Sequence, residues 1–338
     1  MNGQTLNANA PVFLQVPETP AVPALPSAGQ LFKETLRFYR AHLGIMLGIA
    51  AAPAALAAIA ELSGKAAPQF FVAIIGIVAA LAGIAGRIAL MDAVAENGTP
   101  GGGITGAYQK AVHLLVPAIW LSALGSIAII GGFFLLVVPG VILGLSLSFS
   151  LYVLVGEDKR GFAALVASWQ YVRGYWLPVA WRFLFFGIVI ILMALAVSIV
   201  LAVSGAPIDA LRGGPSQGAS FGGVVQALVS NFIVFPLSVI YAFSLYRALR
   251  RAKAASAPGA EETAALRKRL KIFMIIGIVG IVIGVAALGM LFVRYLPEIQ
   301  NILENAGVNT VAPDALPQTP LNTAAGLLPL LRSFIGGR

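Results

Sequence analysis

Residues 177–204, LPVAWRFLFFGIVIILMALAVSIVLAVS, hold a single charged side chain, Arg182. At a 1.5 Å rise per residue, about 20 such residues cross the roughly 30 Å of hydrocarbon in a bilayer. Outward from this stretch, comparable apolar runs recur at 43–61, 69–91, 113–137, 139–156, 223–246 and 272–293. Seven segments of this kind predict an all-α fold, a polytopic transmembrane helical bundle. A soluble protein lacks the polar surface to cover them all.

Composition points the same way. Hydrophobic residues make up 59% of the 338-residue chain and charged residues 10%, whereas soluble domains carry about 25% charge. The formal net charge is +9. The basic residues flank apolar runs, so membrane topology and anionic lipid headgroups explain them better than nucleic acid does. The chain has no cysteine, which excludes disulfides, thiol catalysis and cysteine-based zinc sites.

The chain divides into five parts. Residues 1–28 form a Pro-rich tail, expected to be disordered, with no basic segment leading into an apolar core; a cleaved signal peptide is not expected. Residues 29–250 form a six-span membrane domain, 251–271 a basic linker and 272–296 a seventh transmembrane helix. Residues 297–338 form a tail whose segment LNTAAGLLPLLRSFIGG suits a surface-lying helix interrupted at Pro329. Between the third and fourth spans, Pro139-Gly140 reads as the turn of a hairpin.

Basic residues set the orientation. With the N-terminus cytoplasmic, the inner segments hold fifteen, among them Lys33, Arg37, Arg40, Lys110, Arg173, Arg247 and Arg250. The outer loops between spans hold Lys65 and Arg212. The positive-inside rule therefore places the N-terminus in the cytoplasm of a multi-pass cell-membrane protein and the C-terminus outside.

LFKETLRFYRAHL, residues 31–43, reads as an amphipathic helix along the headgroups. Lys33, Arg37 and Arg40 share one face, and Phe32, Leu36, Tyr39 and Leu43 lie on a neighbouring apolar one. Its core pattern, [Ser/Thr]-x-x-[Phe/Tyr]-x-[Lys/Arg], occurs at Thr35–Arg40, Thr105–Lys110 and Ser168–Arg173. Each copy precedes an odd-numbered span, which suggests three repeated hairpins with the ring at headgroup level and the cation facing phosphate.

The hairpin turn Val138-Pro139-Gly140, Glu157, Ala163-Ala164-Leu165, Ser168, Arg173-Gly174 and Trp176, with the N-terminal LFKETLRFYRAHLGIML, carry a resemblance. Residues 30–250 resemble a polytopic family of bacterial and archaeal membrane proteins related to the membrane domain of glycerophosphoryl diester phosphodiesterases. The resemblance implies a six-span helical domain. It brings no phosphodiesterase activity, which belongs to a separate soluble barrel.

Catalytic and metal-binding patterns are absent from the sequence. His42 and His113 lack carboxylates at ligand spacing. No Gly-x-Ser-x-Gly elbow or phosphate loop occurs, and GTPGGGITG at 98–106 reads as a flexible connector. No enzyme activity, metal or cofactor is expected. Ionisable residues within spans are the default functional candidates. Arg87, with Asp92 five residues on, Arg173 and Arg182 are candidate lipid-phosphate contacts. Ser146, Ser150, Gln226 and Asn231 are candidates for a polar interior, their amides expected to find partners across helices.

Gly44, Gly48 and Ala52, and Gly280 with Gly284, form small-residue faces suited to a second copy of the chain or another membrane protein. The expected activity is non-enzymatic membrane organisation or partner and lipid binding. The alternative is a transporter or channel for a small or amphipathic solute. A polar cavity lined by the four interior candidates and Arg87 would favour transport; a solid bundle packed through small residues would favour organisation.

Overall fold

The computed structural model describes residues 25–63, 68–203, 221–254 and 259–305. The Pro-rich segment before them, the loops carrying Lys65 and Arg212 and the 306–338 segment, with its expected surface helix, lie outside the described residues. All regular structure among the described residues is helical. The helices are α1 (Ala28–Ala41), α2 (Leu43–Ser63), α3 (Gln69–Ala95), α4 (Gly103–Leu135), α5 (Val137–Leu147) and α6 (Ser150–Glu157). They continue with α7 (Phe162–Val172), α8 (Trp176–Val203), α9 (Phe221–Val229), α10 (Phe235–Lys253) and α11 (Ala260–Asn305), with a π-helical turn, Ser230–Val234, between α9 and α10. Six helices are long and apolar enough to cross a membrane, or seven when the bent α1–α2 pair counts as one. The molecule is an all-α polytopic bundle with the character of a multi-pass membrane protein.

α1 opens with a capping box. Ser27 Oγ accepts from the Gln30 amide at 3.2 Å, and Gln30 Oε1 accepts from the Ser27 amide at 3.0 Å. α1 meets α2 at 86°. Its buried face is Leu31, Thr35 and Tyr39, with Phe32 and Leu36 only half-buried and Leu43 exposed. That face packs on α10, α8 and α2 rather than on lipid. Lys33, Arg37 and Arg40 are all exposed.

The connector at 98–106 is a hydrogen-bonded turn that runs into the first residues of α4. Glu96 Oε2 accepts from the Gly101 amide at 2.6 Å, the Glu96 carbonyl accepts from Thr99 Oγ1 at 3.1 Å, and the Gly103 amide reaches the Pro100 carbonyl at 2.8 Å. Gly98, at φ +86°, lies flat against the His42 ring, where any Cβ would collide. The turn thereby locks onto the α1–α2 bend.

The α4–α5 turn also differs from the sequence reading. Leu136 alone is extended, and Pro139 sits in the first turn of α5, where its missing N–H costs nothing. Gly140 serves close approach: a Cβ on Gly132 would stand 2.9 Å from the Gly140 Cα. Phe133 to Val138 are exposed and apolar, while the Leu136 and Gly140 amides donate at 3.2 Å to the Gly132 and Leu136 carbonyls.

The linker assigned to 251–271 is helical from Ala260 and continuous with the seventh span. Leu266, Leu270 and Met274 are buried. α4 and α11 touch backbone to backbone: a Cβ on Gly131 would overlap the Phe273 carbonyl, and one on Gly277 the Ile127 carbonyl. Close approach of this kind replaces the hydrophobic drive that lipid does not supply. The chain divides into two units at Gly280. In the second, the distal turns of α11 present exposed Val282, Ile283, Leu288 and Phe292.

Within the first unit, burial concentrates at the end where the basic residues lie. α3 buries residues from Ala85 to Val94, while Phe70, Phe71, Ile74 and Ile77 face outward. α8 buries Val179, Arg182 and Phe186 near its start, and its distal Ile191, Leu195, Val200 and Val203 are exposed. An aromatic cluster fills the tight end. Phe149 stacks on Phe183 at 5.7 Å, Tyr152 meets Phe243 edge-on at 5.8 Å, and Phe186 stacks on Tyr241 at 4.5 Å.

Candidate functional site at the charged end

α6 ends at Glu157, whose side chain is 8% exposed. Its Oε1 accepts from Tyr171 on α7 at 2.8 Å and from Tyr246 on α10 at 2.6 Å. Lys159 Nζ stands 2.7 Å from Oε2, and Arg250 Nε 3.6 Å from Oε1. A buried carboxylate is tolerated only when its lone pairs and charge are matched, and these groups match it. Burial, followed by the neighbouring carboxylate, pushes the Tyr171 phenol up to about 12. The site ties together three helices.

A second centre lies on α3 and α4. The Asp92 side chain is 3% exposed and pairs with Lys110, which also stands 3.6 Å from Glu96. Arg87 is not the partner of Asp92, because five helical residues turn the two apart. The turn at 97–102 instead folds α4 back on α3 and delivers Lys110. Arg87 is exposed and interacts with the buried Tyr152 hydroxyl. Arg247 caps α3, donating to the Val94 and Ala95 carbonyls at 3.0 and 2.7 Å and to Asn97 Oδ1 at 3.2 Å. A cation there satisfies orphan carbonyls and the negative end of the helix dipole.

The other arginines separate. Arg182 is 9% exposed, and its guanidinium donates to the Pro26, Leu25 and Pro178 carbonyls at 2.7–3.0 Å. It fastens the segment that leads into α1. Arg173 pairs with Glu262 on α11, both partly exposed. Arg87, Arg173 and Arg182 share no partner among the described residues.

The four interior candidates do not converge either. Ser146 and Ser150 are buried, and the Ser146 carbonyl accepts from Ser168 Oγ at 2.6 Å. Gln226 is half-buried. Asn231 donates to the Ala227 carbonyl at 2.9 Å, four residues back on its own helix and not across helices.

The repeated segments are helical, but the second is fused into the first turns of α4 rather than forming a separate helix. Their tyrosines point into protein. Tyr108 donates to the Ile49 carbonyl at 2.5 Å and Tyr171 to Glu157. In the first segment Phe38 packs on His42 at 4.5 Å, and the adjacent Tyr39 donates to the Phe232 carbonyl of the π turn at 2.6 Å.

Between the start of α4 and the end of α6 lies a cleft of about 800 Å³. Lys110, His113, Glu157 and Asp158 line it over a floor that includes Leu114 and Leu154. None of Arg87, Ser146, Ser150, Gln226 and Asn231 is in its wall. The cleft escaped the sequence reading because its walls come from segments some 45 residues apart; Lys110, His113 and Glu157 each drew notice there, but for separate reasons.

No family model, curated protein or solved structure matches the chain. The likeness to the phosphodiesterase-associated membrane domain stands on the residues quoted for it alone.

Proposed function

We propose that the protein is a non-enzymatic membrane organiser that holds anionic lipid headgroups on the cytoplasmic face of the cell membrane, its N-terminus inside and its C-terminus outside. The observation that carries this is the attitude of α1. It stands at 86° to α2 with Lys33, Arg37 and Arg40 exposed, while its inner face is fixed to α10 and α8. A rigid basic helix lying along headgroups attracts anionic lipid by about 1 kcal/mol per cation. Arg87 and Arg173 would add to that surface. The glycine-mediated α4–α11 contact and the dispersed interior polar groups favour a packed body over a conduit. A transporter of a small or amphipathic solute is the second reading, favoured by the cleft.

The test is lipid retention by the full chain in nanodiscs of mixed phosphatidylglycerol and phosphatidylcholine. The wild type should retain phosphatidylglycerol preferentially, and Lys33→Ala/Arg37→Ala/Arg40→Ala should lose that preference. Equal retention of both lipids by the wild type contradicts the proposal. Solute flux through proteoliposomes would favour the transporter.

A further inference from the structure

We propose that the cleft between α4 and α6 binds a zwitterionic phosphoethanolamine group, supplied by a primary-amine phospholipid. The inference rests on the lipid-binding reading and adds a second headgroup with its own seat. One wall presents nitrogen donors. Lys110 donates to Asp92 and stands 3.6 Å from Glu96, which leaves further N–H donors on a side chain 46% exposed. His113, three residues on along the same helical face, is exposed and is free of hydrogen bonds among the described residues. The other wall carries two carboxylates, each paired with an exposed cation. Glu157 keeps Oε1 for its two tyrosines, with Arg250 3.6 Å away, and its Oε2 holds half-exposed Lys159 at 2.7 Å, the cation an incoming ammonium would replace. Asp158, 73% exposed, stands beside it, paired with Arg160 through Oδ1 at 3.3 Å and leaving Oδ2 to a ligand.

Position selects a lipid. Residues 114–135 of α4 and 137–155 of α5 and α6 contain no charged side chain. Lys110 and Glu157 are therefore where charge resumes on two neighbouring spans, the level at which headgroups lie. The floor of Leu114 and Leu154 is buried and apolar, fit for the glycerol end of a lipid. A phosphate against Lys110 and His113 leaves the amine facing Glu157. A trimethylated amine has no N–H to donate there, and a phosphoglycerol headgroup carries no ammonium.

The test is native mass spectrometry of the full chain released from nanodiscs of equal phosphatidylethanolamine, phosphatidylcholine and phosphatidylglycerol. The wild type should retain phosphatidylethanolamine about fivefold over phosphatidylcholine, the scale of a partly exposed ion pair. His113→Ala/Asp158→Asn, which changes only exposed side chains, should bring the two to parity with an unchanged melting temperature. Equal retention by the wild type, or a preference that survives the double variant, overturns the inference. Soluble O-phosphoethanolamine competing at equal concentration would assign a free solute as the source; failure to compete assigns the bilayer. Phosphatidylglycerol retention reports separately on the basic α1 surface, so failure of that reading leaves the cleft's result distinguishable.

Discussion

Tyr108 donates its hydroxyl at 2.5 Å to the carbonyl of Ile49, the carbonyl that Pro53, four residues on and lacking an N–H, leaves without its helical donor. The same arrangement recurs where Tyr39 donates to Phe232, four residues before Pro236. In each case a tyrosine from a neighbouring helix completes a proline-interrupted one. Tyr108→Phe should therefore destabilise the fold by about 1–2 kcal/mol, the cost of an unpaired buried carbonyl. In a Pro53→Ala background, where the substituted residue supplies a backbone N–H, the same change should cost clearly less. Thermal unfolding of the four proteins as a double-mutant cycle measures the difference.

Backbone contact between α4 and α11 makes a second prediction. Gly277→Ala and Gly131→Ala each place a Cβ onto a carbonyl of the other helix, and should destabilise by about 1–3 kcal/mol. Gly284→Ala, at a position with nothing within 4 Å, should be neutral. The melting temperatures of the three variants decide it, and equal effects at 277 and 284 would contradict the packing.

The Glu157 hub predicts non-additivity. Glu157→Gln keeps an acceptor for the tyrosines but removes the charge matched to Lys159 and Arg250, and should cost about 1–3 kcal/mol. Tyr246→Phe alone should also destabilise, and the double variant should lose less than the sum, because both changes act on one network. Chemical denaturation in detergent measures all three.

Tyr171 sets an alkaline limit. Its phenol is held at about 12 against an ordinary 10.0, so the folded state binds that proton more tightly than the unfolded state. The associated stability is complete below pH 10 and disappears as pH rises through 12. Tyr171→Phe should be less stable at pH 8 and lose less further stability between pH 10 and 12. Unfolding followed at both ends of that window tests the sign.

The bundle was legible because crossing hydrocarbon demands long charge-free runs, and such runs leave few alternative folds. The helical linker was harder. AEETAALRKRLK at 260–271 is polar enough to read as a connector, yet it is rich in good helix formers, opens with Glu261 and Glu262 in its first turn and buries Leu266 and Leu270. The π turn and the isolated extended Leu136 carry no local residue signal. Polar positions were recognisable as types but not as partners. Glu157 finds Tyr171 14 residues away and Tyr246 89 away, and Arg182 finds carbonyls more than 150 residues before it. Such pairings follow from which helices become neighbours, which single-helix periodicity does not encode. The repeated tyrosines drew attention for their spacing, but that spacing names neither the Ile49 carbonyl that Tyr108 bonds nor the Glu157 carboxylate that Tyr171 bonds.

The most direct test uses the absence of native cysteine. Lys65→Cys, Arg212→Cys and Ala255→Cys, each alone, are treated in intact cells with a membrane-impermeant thiol label and again after permeabilisation. Positions 65 and 212 should react in intact cells, and position 255 only once the membrane is opened. Labelling of 255 in intact cells with 65 and 212 protected would reverse the orientation, and equal labelling of all three without permeabilisation would contradict a chain threaded repeatedly through the bilayer.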